Sequence, residues 1–215
     1  MLSNEFYKLM LVTNRQQMPL DDYLPFIKTC ASAGITSVQL REKHQTREAL
    51  LSFGEKLKAI LDPLHIPLII NDDIELALQL NASGVHLGQT DGDPELARKR
   101  LGPDKIIGVS IDTENNLFKA NQLPIDYVGI GAIYPTTNKS NVTTIWGTCG
   151  LKQLSRESKH PIIGIGGINA DNASEVLSSG ACGTAVIAAL HDADVAHLAT
   201  QHLRHIIDKG KHHVA

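Results

Sequence analysis

The chain has 215 residues, 42% of them apolar, 20% charged and 4% aromatic, the balance of an ordinary globular protein long enough to bury a sizeable core. With 20 Lys and Arg against 23 Asp and Glu the formal charge is -3, which argues against a general nucleic-acid binder, and the few aromatics argue against a base-stacking surface. No apolar run approaches the ~18 residues that a membrane span needs.

Eight short apolar runs recur along the chain, each ending in small or polar residues: Tyr7–Thr13, Thr36–Arg41, Pro67–Asn71, Gly84–Leu87, Ile106–Ser110, Asp126–Gly131, Pro161–Gly166 and Gly183–Ala188. Each is too short for a helix, and together they are rich in Ile and Val, as strands buried on both faces should be. Segments of helical spacing lie between them. Leu24, Ile27 and Ala31 mark the first, and Leu50, Phe53, Leu57 and Ile60 the second; Ala173–Ser178 and Val195–Ile207 continue the pattern. Asp93 before Pro94, and Asn169–Asp171 before Ala173, read as helix starts. Eight βα units in one chain predict a single-domain α/β fold, a (β/α)₈ TIM barrel over residues 1–215, with a disordered tail from about 208. An open doubly wound sheet is disfavoured because no GxGxxG opens a helix after the first strand.

In such a barrel, functional groups sit where strands end. The second run ends Gln39-Leu40-Arg41-Glu42-Lys43. Alternation puts Gln39 and Arg41 on one side and Val38 and Leu40 on the other. If the polar pair faces the mouth, the Arg fork and the Lys point charge flank one anion site. The third run ends Asn71-Asp72-Asp73, and the fourth continues through His86 to Asp91. Carboxylates at neighbouring strand ends suit Mg²⁺, although capping of the next helix competes for Asp72 or Asp73. His86 reads as a satisfied core histidine. Ser110 ends the fifth run with a hydroxyl for a phosphate or a ring nitrogen. After the sixth, Thr136-Thr137-Asn138-Lys139 offers hydroxyl, amide and ammonium donors, and the polar stretch 140–147 reads as a lid or an ordinary loop. The glycines of Gly164-Ile165-Gly166-Gly167 and the end of the eighth run, Ile187-Ala188, suit backbone binding of a phosphate. Two anion sites therefore face one mouth, as a diphosphate and a monophosphate substrate would require.

QLREK at 39–43, NDD at 71–73, HLGQTD at 86–91, GVS at 108–110, GIGAIYPTTNK at 129–139 and GIGGI at 164–168, in register, resemble the thiamine phosphate synthase family. The resemblance runs from about Tyr7 to Leu190. It implies a transferase of thiamine biosynthesis that couples hydroxymethylpyrimidine diphosphate to a thiazole phosphate, or its carboxylated form, and releases pyrophosphate. It also implies that the pyrimidine diphosphate is held along 39–43 (Gln39, Leu40, Arg41, Glu42, Lys43) and by Asn71, Ser110 and Lys139. One Mg²⁺ would be held by Asp72 and Asp91, and the thiazole phosphate by Thr136, Thr137, Asn138, Gly167, Ile187 and Ala188. Arg41, Lys43, Lys139 and Ser110 take the catalytic roles. The chain departs from the family's usual Thr at Asn138, Ser at Ala188 and His near Asp112 or Thr113.

A thiazole tautomerase, which resembles this family, would carry a His where Ala132 stands. A Schiff-base aldolase on Lys43 or Lys139 would need an apolar setting that lowers the lysine pKa. A non-catalytic phosphate sensor would not need the Asp72 and Asp91 pair. His197, His202, His205, His212 and His213 form no metal-ligand frame and read as a polar helix face and tail. The widely spaced Cys30, Cys149 and Cys182, with no CxxC pair, read as reduced structural thiols. Glu5 and Lys8 interrupt the opening residues where a secretory signal would be apolar. A cytoplasmic enzyme with small-molecule partners is expected, with a homo-oligomer left open.

Overall fold

The computed structural model describes residues 4–138 and 144–210. Eight strands close a parallel barrel in sequence order: β1 (Leu9–Val12), β2 (Ser37–Leu40), β3 (Leu68–Asn71), β4 (Gly84–Leu87), β5 (Ile106–Ile111), β6 (Tyr127–Ile130), β7 (Ile162–Ile165) and β8 (Gly183–Val186). Closure is made by β1 against β8, with Met10 opposite Ala185. The helices are α1 (Leu20–Ala33), α2 (Arg47–Leu61), α3 (Ile74–Gln79), α4 (Pro94–Leu101), α5 (Glu114–Ala120), α6 (Gly147–Glu157), α7 (Ala173–Ser178), α8 (Ala188–His191) and α9 (Ala196–Gly210). The predicted runs Gly84–Leu87 and Ala173–Ser178 match their elements, while most of the others overshoot theirs by one or two residues. Such residues continue the extended chain but lose the ladder as the barrel rim opens.

The alternation of the strands sorts two cores. Outward side chains such as Leu11, Val38, Leu40, Ile70 and Leu87 pack under the helices. Inward ones, including Met10, Val12, Ile69 and Ile163, meet at the barrel axis. Each buried aliphatic contributes roughly 1.5–3 kcal/mol, so burial on both faces explains why strands of four residues suffice. The N-terminal end is plugged. A 3₁₀ turn over Asn4–Tyr7 drives Phe6 and Tyr7 against Tyr127, with Tyr7 and Tyr127 ring centres 6.1 Å apart, and the Tyr7 hydroxyl donates to the Asp126 carbonyl. Among the described residues, the end of the barrel that opens to a ligand is the C-terminal one.

Helix starts follow the local chemistry. Asp93 caps α4, with Pro94 in its first turn. Ahead of α7, the cap position falls at Asn172 rather than within 169–171; the Asn169 and Asn172 side chains instead tie that turn together by accepting from Asp171 and Asn169 N–H groups. Of the tail expected to be disordered from about 208, residues 208–210 are helical, and 211–215 lie outside the described residues. Helix α9 runs to Gly210, and Asp208 accepts from Lys8 Nζ and Arg204 Nε, both at 2.8 Å. Of the thiols, Cys30 is buried, whereas Cys149 and Cys182 lie at the surface, so only the first packs in the core.

Candidate active site

A cavity of about 880 Å³ opens at the C-terminal end of the barrel, and the inward side chains of the strand ends line it. Gln39 is buried at its floor, its amide 3.6 Å from Met10 Sδ. Arg41 rises above it, positioned by its own N–H donating to Thr13 Oγ1 at 2.9 Å. Burial pulls the Arg41 guanidinium pKa down, and the carboxylates of Asp72 and Glu42 oppose this. Lys43 is exposed and lines the same wall. Between them, the Leu40 side chain lies in the outer core and Glu42 accepts from Arg15 N–H at 2.9 Å, so the side chains of this stretch that line the cavity are those of Gln39, Arg41 and Lys43.

The two candidate aspartates of the NDD stretch separate. Asp73 caps α3 by accepting from Leu76 N–H at 2.8 Å, and pairs with Arg47. Asp72 adopts φ +66°, a left-handed conformation that Asp tolerates better than most residues, and its carboxylate lines the cavity. Asp91 arrives from the β4 end. A Cβ placed on Gly88 would lie 2.2 Å from Asp91 Oδ2 and 3.9 Å from Asp72 Oδ1, so the two carboxylates converge over this glycine. Burial and the Asp91 charge push the Asp72 pKa up, against the Gly88 N–H and Asn71 hydrogen bonds. Two hard oxygen donors that repel each other in this way are a fit for Mg²⁺. Among the described residues no group of three or more His, Cys, Asp or Glu forms a metal cluster, so a bound ion would take its remaining oxygens from substrate or water.

Opposite, Gly166 at φ +99° and Gly167 at φ +64° let the β7 loop pass close to Ala132 and Pro135. A Cβ on Gly167 would fall 2.6 Å from the Pro135 carbonyl oxygen. Ile187, Ala188 and Ala189 line the same cavity, and at the start of α8 the Leu190 and His191 N–H groups donate to the Ile187 carbonyl, while those of Ala188 and Ala189 precede the first intrahelical bond. The absent hydroxyl at Ala188 leaves those N–H groups in place. Thr136, Thr137 and Asn138 line the rim between the two sites. Lys139, together with 140–143 of the expected lid, lies outside the described residues. The C-terminal end of that stretch is pinned, since Trp146 and Gly147 N–H donate to the Ala132 and Ile133 carbonyls.

Several contributors were invisible in the motifs. Asn138 accepts from Asn14 Nδ2 at 3.3 Å, and its carbonyl accepts from Arg41 Nη2 at 3.4 Å. Asn14 N–H donates to the Tyr23 hydroxyl, which sits 2.6 Å from His191 Nε2; His191 Nδ1 donates to the Ile187 carbonyl at 2.8 Å. A continuous run of bonds thus joins the diphosphate wall to the α8 turn. Burial lowers the His191 pKa, consistent with a neutral ring in this position. Gln89 lines the cavity, donates to the Ser110 carbonyl and accepts from Asn116 Nδ2.

The family model described as thiamine monophosphate synthase matches residues 9–190. The chain belongs to that family. Membership makes it an enzyme, a transferase of thiamine biosynthesis. It is 51% identical over 209 residues to a thiamine-phosphate synthase of Chlamydia caviae, covering 97% of this chain and 99% of that one. A Vibrio parahaemolyticus thiamine-phosphate synthase is 40% identical over 202 residues, covering 94% and 98%. Among solved structures, thiamine phosphate pyrophosphorylase from Pyrococcus furiosus superposes with a TM-score of 0.87 at 31% identity, covering 96% of this chain and 98% of that one. No described helix is long and apolar enough to cross a membrane.

Proposed function

We propose that this family member couples hydroxymethylpyrimidine diphosphate with a thiazole phosphate, or its carboxylated form, giving thiamine phosphate and pyrophosphate. The observation that carries the reading is the pairing of two unlike anion sites in one mouth: a cationic wall beside converging carboxylates, and a backbone cradle at the β7 and β8 ends.

In this reading the carbon–oxygen bond to the diphosphate breaks first, and its electron pair leaves with pyrophosphate. The electron-rich aminopyrimidine stabilises the methylene cation, and the thiazole nitrogen lone pair then forms the carbon–nitrogen bond. Arg41 and Lys43 stabilise the charge growing on the departing diphosphate, and the partly desolvated guanidinium does so more strongly than it would in water. Asp72 and Asp91 would hold one Mg²⁺, which supplies positive charge to the leaving group. Gln39, Asn71 and Ser110 orient the pyrimidine diphosphate, while Thr136–Asn138, Gly167, Ile187 and Ala188 hold the thiazole phosphate in line with the cation. Lys139 would complete the cationic wall. No covalent nucleophile is needed. Ala132 is buried and brings no acid or base to the place where a tautomerase would need one.

The test is pyrophosphate release with both substrates and Mg²⁺, with the product identified by mass. Thiamine phosphate formation that disappears in Asp91→Ala and Arg41→Ala is the expected outcome. Binding of the thiazole phosphate without coupling would favour a tautomerase or a sensor.

A further inference from the structure

One polar chain runs inside the barrel from the plugged end to the mouth. The fully buried Tyr127 on β6 brings its hydroxyl 2.8 Å from His86 Nδ1, and His86 Nε2 lies 2.9 Å from Ser110 Oγ. Two glycines make room for it. A Cβ on Gly108 would fall 2.1 Å from Tyr127 Cζ, and one on Gly129 would fall 3.0 Å from His86 Cε1. The sequence therefore leaves two inward positions empty so that two rings can lie end to end beneath Ser110.

The direction of these bonds follows from burial. A phenol this deep keeps its proton, because burial pushes its pKa far above the ordinary value. A buried hydroxyl hydrogen is costly to leave without an acceptor, and the acceptor at hand is His86 Nδ1. A neutral imidazole carries one N–H. In the neutral ring, with Nδ1 accepting from Tyr127, that hydrogen is on Nε2 and is donated to Ser110 Oγ. The Ser110 hydroxyl has then spent a lone pair on the ring, and its own hydrogen is turned away from the ring, toward the cavity.

We infer that Tyr127 and His86 are positioning residues that fix Ser110 as a hydrogen-bond donor to the ligand. The ligand atom that meets the Ser110 hydrogen is consequently an acceptor, either a ring nitrogen or a phosphate oxygen. The ligand side of this inference rests on the function proposed above; the tautomer belongs to the free protein and does not.

The tautomer is read in the ligand-free protein from long-range proton–nitrogen correlation spectra of imidazole-labelled chain. An unprotonated Nδ1 and a protonated Nε2 at His86 are expected, and the opposite assignment or a doubly protonated ring overturns the inference. The kinetic arm compares Tyr127→Phe, Ser110→Ala and the double variant. Tyr127→Phe is expected to lower kcat/KM about 3- to 10-fold, the value of one hydrogen bond, and to have an effect below about twofold once Ser110 is alanine. An equal loss in both backgrounds would mark a purely structural role and overturn the inference. Binding of the pyrimidine alcohol and of inorganic pyrophosphate to Ser110→Ala separates the two acceptors, since only the one bonded to Ser110 weakens. Loss of neither would refute the donor role. If Tyr127→Phe fails to fold, the spectra of the unaltered chain still decide the tautomer. A chain that shows the expected tautomer but no coupling refutes the proposed function alone.

Discussion

Gly88→Ala isolates the proposed metal site from the fold. Gly88 has an ordinary φ, so alanine meets no backbone strain there. Its Cβ would approach Asp91 Oδ2 to 2.2 Å, well inside the 3.4 Å at which ordinary contact begins. Asp91 is exposed and rotatable, so its carboxylate swings aside by roughly 1 Å or more without the usual ~1–3 kcal/mol cost of overpacking. Stability should change by no more than about 0.5 kcal/mol. The effect on the ion is much larger. Mg²⁺ accepts oxygens only near ~2.0–2.1 Å in an octahedral arrangement, and a carboxylate displaced this far leaves its coordination. A loss of about 10- to 100-fold in Mg²⁺ affinity is expected, the range seen when the groups that hold metal ligands are disturbed. The assay is the Mg²⁺ concentration for half-maximal pyrophosphate release, alongside Tm without metal. Unchanged Mg²⁺ dependence would refute the assignment of Asp72 and Asp91. So would a large fall in Tm accompanied by normal Mg²⁺ dependence.

Asp72→Asn follows from the raised Asp72 pKa. The folded protein binds that proton more readily than the unfolded chain, so stability is full below the ordinary carboxylate value of 3.8 and is lost as pH rises through the folded pKa. At neutral pH and without Mg²⁺ the Asn variant should therefore melt higher than the parent, with the gain vanishing in acid and Mg²⁺ no longer raising its Tm; a lower Tm at neutral pH would contradict this. Asn14→Ala removes the amide that holds Asn138, a change of about 1 kcal/mol. It should raise KM for the thiazole phosphate more than KM for the pyrimidine diphosphate, and an equal rise in both would count against a role for the Asn14–Asn138 pair at the rim.

How much is legible in the sequence depends on how local each feature is. A four-residue strand buried on both faces announces itself as an apolar run, which is why Gly84–Leu87 could be placed to the residue. The period of two along a strand likewise suffices to separate Gln39 and Arg41 from Leu40. The role of Asp72 against Asp73 could not be read that way. It turns on a left-handed φ at Asp72 and on which carboxylate reaches the α3 N–H groups. His86 is hydrogen-bonded, as its apolar run suggested, yet it also lines the mouth, because Ser110 and Tyr127 reach it across two strand pairings whose register no periodicity reports. The bond from Tyr23 to His191 joins residues 168 positions apart and brings α1 to the phosphate turn; nothing in either segment marks the partner.

The most direct measurement is a structure with Mg²⁺, thiamine phosphate and pyrophosphate bound. Pyrophosphate is expected against Arg41, Lys43 and Asn71 with the ion between Asp72 and Asp91, and the monophosphate against Gly167 and the Ala188 N–H. The two phosphate groups in exchanged positions, or an ion away from both aspartates, would contradict the two-site reading of this mouth.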